Sequence, residues 1–145
     1  MAGRARGGSV LHDRALRVAQ AAVDRRDEEA ELAIGHVYFE MGDYERALEW
    51  YEQTAVHSDL VELWRAMARA LMAMGDYGEA RAALYSAIRL SKWVRVEDLR
   101  QLAECLRHLG NDRAADEAEQ LAQQRTEATV TLDEAMPLEQ SQRAQ

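Results

Sequence analysis

Apolar positions recur three and four residues apart along most of the chain, the spacing of one face of an α-helix. Val10, Leu11, Ala15, Leu16, Ala19, Ala22 and Val23 form a first stripe. Ser9 before it predicts an N-cap, and the stripe predicts a helix over about 10–25. The second stripe holds Leu32, Ile34 and Tyr38 beside Gly35, and the third Ala47, Leu48, Tyr51 and Ala55. Then come Trp64, Met67, Ala68 and Leu71, followed by Ala80, Leu84, Ala87 and Ile88. The final pair is Leu99, Leu102, Ala103 and Leu106, then Ala115, Ala118 and Ala122. These stripes predict helices near 28–41, 44–57, 60–74, 77–90, 96–109 and 112–125. Trp93 and Val94, in a longer link, are expected to pack over the joint they span. Beyond 125 the stripe stops, so 126–145 is expected to be mostly disordered.

The turns between stripes repeat. Met-Gly-Asp-Tyr at 41–44 returns at 74–77, Gly75 following Gly42 by 33 residues and Ala80 following Ala47 by 33. A third copy, Leu109-Gly110-Asn111-Asp112, follows at 35 residues. Asp-Arg-Ala-Leu at 13–16 echoes Glu-Arg-Ala-Leu at 45–48. A period near 34 with a glycine turn between helical stripes is a stack of helical hairpins. The organisation expected is a flexible leader over 1–8, a capping helix over 9–26, repeats over 27–59, 60–94 and 95–125, and the tail 126–145.

These residues resemble the tetratricopeptide repeat, whose pattern is Trp-x-x-Leu-Gly-x-x-Tyr followed by Ala-x-x-x-Phe and Ala. Ile34-Gly35, Tyr38, Ala47 and Tyr51 match in the first repeat, with Glu31 where the Trp would stand. Trp64, Met67-Ala68, Leu71, Ala80, Leu84 and Ala87 match in the second, and Leu102-Ala103, Leu106, Ala115 and Ala122 in the third, where Glu119 replaces a large apolar residue. The resemblance implies an all-α, right-handed α-α superhelix, a solenoid of about seven helices. It also implies a groove lined by the first helix of each hairpin, binding an extended or helical segment of a partner without catalysis, as adaptor or chaperone. Two alternatives accompany this reading. One is a scaffold self-associating into a homo-oligomer through its terminal helices, near Leu11, Leu16 and Leu121. In the other, the chain resembles chaperones of bacterial type III secretion translocators in size, acidity and its extra N-terminal helix. The carboxylate clamp of some relatives is not expected, because Leu32, His36 and Ala66 stand at its places.

On that alignment the groove-facing residues are His36 and Phe39 in the first repeat, Arg65, Arg69 and Met72 in the second, and Arg100, Glu104 and Arg107 in the third. Four arginines in an otherwise acidic chain point to an acidic partner segment, because guanidinium binds carboxylate bidentately. His36, Phe39 and Met72 add apolar anchoring. The solvated reading is that Arg65 pairs with Glu62, and Arg100 with Glu97 or Glu104, along one helix. The tail, with Leu132, Asp133, Glu134, Met136 and Leu138, is also a match for such a groove.

Charge and chemistry narrow the function further. Net charge is −8 over 145 residues, which argues against nucleic acid as partner. Cys105 is the only cysteine and reads as core, leaving no cysteine zinc site and no disulfide framework. His12, His36, His57 and His108 lack metal-ligand spacing, and neither a phosphate-binding loop nor a nucleophile elbow is present. The reading is no enzyme, no cofactor and no metal. No stretch is apolar enough for a signal peptide or membrane insertion, and the expected location is cytoplasmic.

Overall fold

A computed structural model describes the backbone of residues 6–23 and 27–143 and the side chains of 10–21 and 27–127. It contains seven helices and, among the described residues, no strand: α1 (Arg6–Val23), α2 (Glu28–Glu40), α3 (Tyr44–Ala55), α4 (Val61–Ala73), α5 (Tyr77–Leu90), α6 (Val96–His108) and α7 (Asp112–Arg143). The chain divides into two compact units, residues 1–90 and 91–145.

The hairpin turns are built alike. Gly42, Gly75 and Gly110 have φ of 80°, 80° and 82°, the left-handed region in which a side chain is strained. Each glycine N–H donates to a carbonyl three residues back, and the next residue donates to one five back: Asp43 to Tyr38 at 2.9 Å, Asp76 to Leu71 at 2.9 Å and Asn111 to Leu106 at 2.8 Å. These bonds satisfy the last carbonyls of the preceding helix. The same Asp or Asn then caps the next helix, accepting from Arg46, Glu79 and Ala114. Nothing lies within 4 Å of a Cβ built on Gly75, so Gly75→Ala meets only the φ penalty. It should cost about 1–2 kcal/mol, read as a fall in the urea midpoint; an unchanged midpoint would deny the turn this role.

In unit 1, α1 packs on α2, α2 on α3, α3 on α4 and α4 on α5, and α2 also touches α4. Small side chains let the helices close up: Ala47, Ala66, Ala68, Ala70, Ala80 and Ala87 are buried around Ile34, Tyr51, Leu63 and Leu84. Gly35 serves the same end, with its Cα under the Tyr51 ring. Glu31, at the repeat's Trp position, accepts a 2.8 Å hydrogen bond from His57 Nε2 and so fastens the loop after α3 to α2. In unit 2, α6 packs on α7 over Leu99, Leu102, Ala103, Leu106, Ala115, Ala118 and Ala122, with Cys105 buried among them.

Three expectations change. The backbone of 126–143, expected to be disordered, continues α7 as helix to Arg143. Helix propagation needs only residues of adequate propensity, not an apolar stripe, and Thr126 Oγ1 returns a 2.9 Å bond to the Ala122 carbonyl. At the other end α1 starts at Arg6, which places Ser9 inside the helix and shortens the expected leader; residues 1–5 lie outside the described residues. α1 leaves much of its apolar face open, with Val10, Leu11 and Val18 exposed, and Leu11 is a position that the self-association reading names. Trp93, expected to pack over the joint, is 77% exposed, with Lys92 Nζ 6.0 Å from its ring centre.

Candidate functional site

The α2–α4 face of unit 1 gathers His36, Phe39 and Arg69. His36 and Phe39 sit three residues apart on α2, so they share a face. Arg65, Arg69 and Met72 follow at helical spacing on α4. The Arg69 guanidinium lies 5.3 Å from the Phe39 ring centre, cation–π distance. Phe39 is braced edge-on by Tyr44, with centroids 5.1 Å apart at 62°. Arg69 is exposed, and among the described residues no carboxylate forms an ion pair with it. Arg65 is different: it donates to Glu62 at 2.8 Å with its side chain mostly covered. Met72 is half-buried one turn beyond Arg69.

His36 couples this face to the core. Its Nδ1 is hydrogen-bonded to the Tyr51 hydroxyl at 2.8 Å, and the rings meet edge-on at 5.6 Å. Tyr51 is fully buried, and burial pushes its phenol up to about 12, so it stays a protonated partner. His36 is held below the ordinary imidazole value, first by burial and then by the Arg69 charge, against the pull of Glu40 and Glu62. It is therefore neutral near pH 7. A depressed imidazole means that the unfolded chain takes up its proton first as pH falls. The stability tied to neutral His36 is thus full above about pH 6.5 and is lost as pH drops through the lower folded value. His36→Gln should flatten the fall in Tm between about pH 7 and about pH 5; an unchanged slope would contradict the assignment.

Arg100, Glu104 and Arg107 stand on α6 in unit 2. They line a cleft of about 750 Å³ together with His108, Glu119 and Gln123. The Arg107 guanidinium is taken up by α7: both its terminal nitrogens donate to the Glu119 carboxylate, Nη2 to Oε2 at 2.7 Å, and Nη2 also reaches Asp116 at 3.1 Å. These hydrogen bonds drive the Arg107 value upward and hold Glu119 below the ordinary carboxylate range. The one signal for this bond was Glu119 at an apolar position of the repeat. Arg100, which the solvated reading pairs with Glu97 or Glu104, forms no ion pair among the described residues. Two of the four arginines, Arg65 and Arg107, therefore hold carboxylates, and two, Arg69 and Arg100, form no ion pair among the described residues.

Among the described residues no three His, Cys, Asp or Glu side chains cluster as a metal site, and no helix is long and apolar enough to cross a membrane.

Comparison with known proteins agrees with the hairpin architecture. The model of the family described as anaphase-promoting complex, cyclosome, subunit 3 matches residues 10–87. Solved structures of MamA share the fold. One is 22% identical with a TM-score of 0.71, over 83% of this chain and 71% of its own. Another is 14% identical with a TM-score of 0.73, over 83% and 67%. A third is 18% identical with a TM-score of 0.71, over 86% and 73%.

Proposed function

This chain belongs to the family described as anaphase-promoting complex, cyclosome, subunit 3, a tetratricopeptide-type helical repeat, and we propose that it is a non-catalytic module whose α2–α4 face binds a segment of a partner protein. The observation that carries this reading is Arg69. It is an exposed guanidinium with no ion pair among the described residues, 5.3 Å from the centre of the Phe39 ring, which Tyr44 meets edge-on. Such a group offers its fork of donors to an incoming carboxylate, while the ring and Met72 receive apolar atoms beside it. The partner segment is accordingly acidic with apolar anchors, and the role is that of an adaptor or chaperone. In unit 2, Arg100 on α6 offers a carboxylate the same kind of donor. The proposed compartment is the cytoplasm, in keeping with a single buried cysteine.

Affinity capture from the native lysate, wild type beside Arg69→Glu, tests the reading. A protein held by the wild type and lost by the variant is the expected result. Equal retention by both would remove the α2–α4 face from the binding site.

A further inference from the structure

Unit 1 carries a second open surface on a different side of α2. Leu11 and Val18 of α1 are 69% and 68% exposed. With Arg14 and Ala15 of α1, and Ala30 and Ala33 of α2, they line an apolar cleft of about 520 Å³. The internal repeat states what such a cleft takes. The 13–16 and 45–48 match places α1 in register with α3 at 32 residues, and Gly42 and Gly75 place α2 in register with α4 at 33. Ala15 and Ala19 thus correspond to Ala47 and Tyr51, and Ala33 to Ala66. Ala47 and Tyr51 are fully buried and Ala66 is 1% exposed, in a unit where α2 packs on α3 and touches α4. Ala15 and Ala33 are exposed. The α1–α2 cleft is therefore the counterpart of the seat that α2 fills against α3 and α4.

The same register defines the occupant. The Arg46 guanidinium of α3 lies 5.8 Å from the ring centre of Tyr38 on α2. Arg14 is the counterpart of Arg46 and lines the open cleft. Arg14 is exposed at the cleft, and Arg17 and Asp13 are exposed beside it on α1. We propose that the α1–α2 cleft is a docking seat for one amphipathic helix of a partner protein. Its pattern is that of α2: an aliphatic residue, then Gly or Ala, then an aromatic four positions after the aliphatic, with acidic residues on the flank that meets α1. Arg14 stacks on that aromatic. The alanine floor lets the guest helix approach closely, and Leu11 and Val18 cover its apolar stripe.

The probe is a hydrocarbon-stapled peptide of residues 28–41, stapled because a free helix of that length is marginal in water. It is titrated into the full chain by fluorescence anisotropy. Saturable one-to-one binding is expected. Leu11→Glu and Val18→Glu should each weaken it at least about tenfold, the cost of setting a charge into an apolar contact. Both positions are exposed, so the variants should keep the wild-type helical circular dichroism. Tyr38→Ala in the peptide should weaken binding to the wild type but not to Arg14→Glu, the signature of a direct pair. The peptide is itself acidic, so the titrations are repeated in an Arg69→Glu background, where binding sensitive to Leu11→Glu and Val18→Glu should persist; this separates the seat from the α2–α4 face. Absence of saturable binding, or binding indifferent to Leu11→Glu and Val18→Glu, would overturn the proposal. So would a concentration-dependent doubling of the protein's own mass that Leu11→Glu abolishes, since it would assign the cleft to a second copy.

Discussion

Gly35→Ala should destabilise the protein by about 2 kcal/mol, although alanine favours a helix over glycine by about 1 kcal/mol. A Cβ at Gly35 falls 2.3 Å from Tyr51 Cε1 and 2.6 Å from Cδ1, inside any real contact. The ring has nowhere to go. Tyr51 is fully buried, and its hydroxyl is tied to His36. Relief must come from separating α2 and α3 or from giving up that hydrogen bond, which leaves a buried phenol unsatisfied. Overpacking of this kind costs typically 1–3 kcal/mol before any lost hydrogen bond. Urea denaturation reads the loss directly. A double-mutant cycle sharpens it: in a Tyr51→Leu background the same Gly35→Ala should cost little, because the obstructing ring is gone. Equal cost in both backgrounds would mean that Gly35 is there for some reason other than the ring.

Arg69→Glu should weaken partner affinity at least about tenfold, a change of about 1.4 kcal/mol. The wild-type guanidinium is exposed and without an ion pair among the described residues, so its charge is open to a ligand. Reversal removes a charge-assisted hydrogen bond and places a carboxylate against an acidic segment, and the two effects have the same sign. Arg107→Glu is the contrast. The Arg107 fork is already occupied by Glu119 and Asp116, so its reversal should change partner affinity by less than about threefold. Titration calorimetry of the captured partner against both variants, repeated at higher salt, separates the two sites. Loss of affinity on Arg107→Glu with none on Arg69→Glu would reverse the assignment.

The hairpins were legible because two independent signals coincide in the sequence. The apolar stripes set the buried face of each helix, and Gly42, Gly75 and Gly110 stand where only a left-handed turn joins one stripe to the next. What was illegible depends on distance in space rather than spacing along the chain. The Arg107–Glu119 bond spans twelve residues across a turn, and helical-neighbour reasoning offers Arg107 no such partner. That reasoning instead paired Arg100 with glutamates it does not engage. The continuation of α7 escaped for another reason. An apolar stripe reports burial, and absence of burial was read as absence of helix, yet Ala, Glu, Gln and Leu sustain a helix without it. Even Pro137, which removes a backbone donor, falls within the helical span. The open face of α1 was legible only as an alternative, at Leu11 and Leu16, because a stripe says that a surface wants cover, not that it has it.

Hydrogen–deuterium exchange of the protein alone and with its captured partner tests the central claim most directly, since amides under a bound segment exchange more slowly. Protection concentrated on α2 and α4, around His36, Phe39, Arg69 and Met72, is the expected result. Protection confined to α1, or to α6 and α7, would contradict it and would move partner recognition away from the Arg69 face.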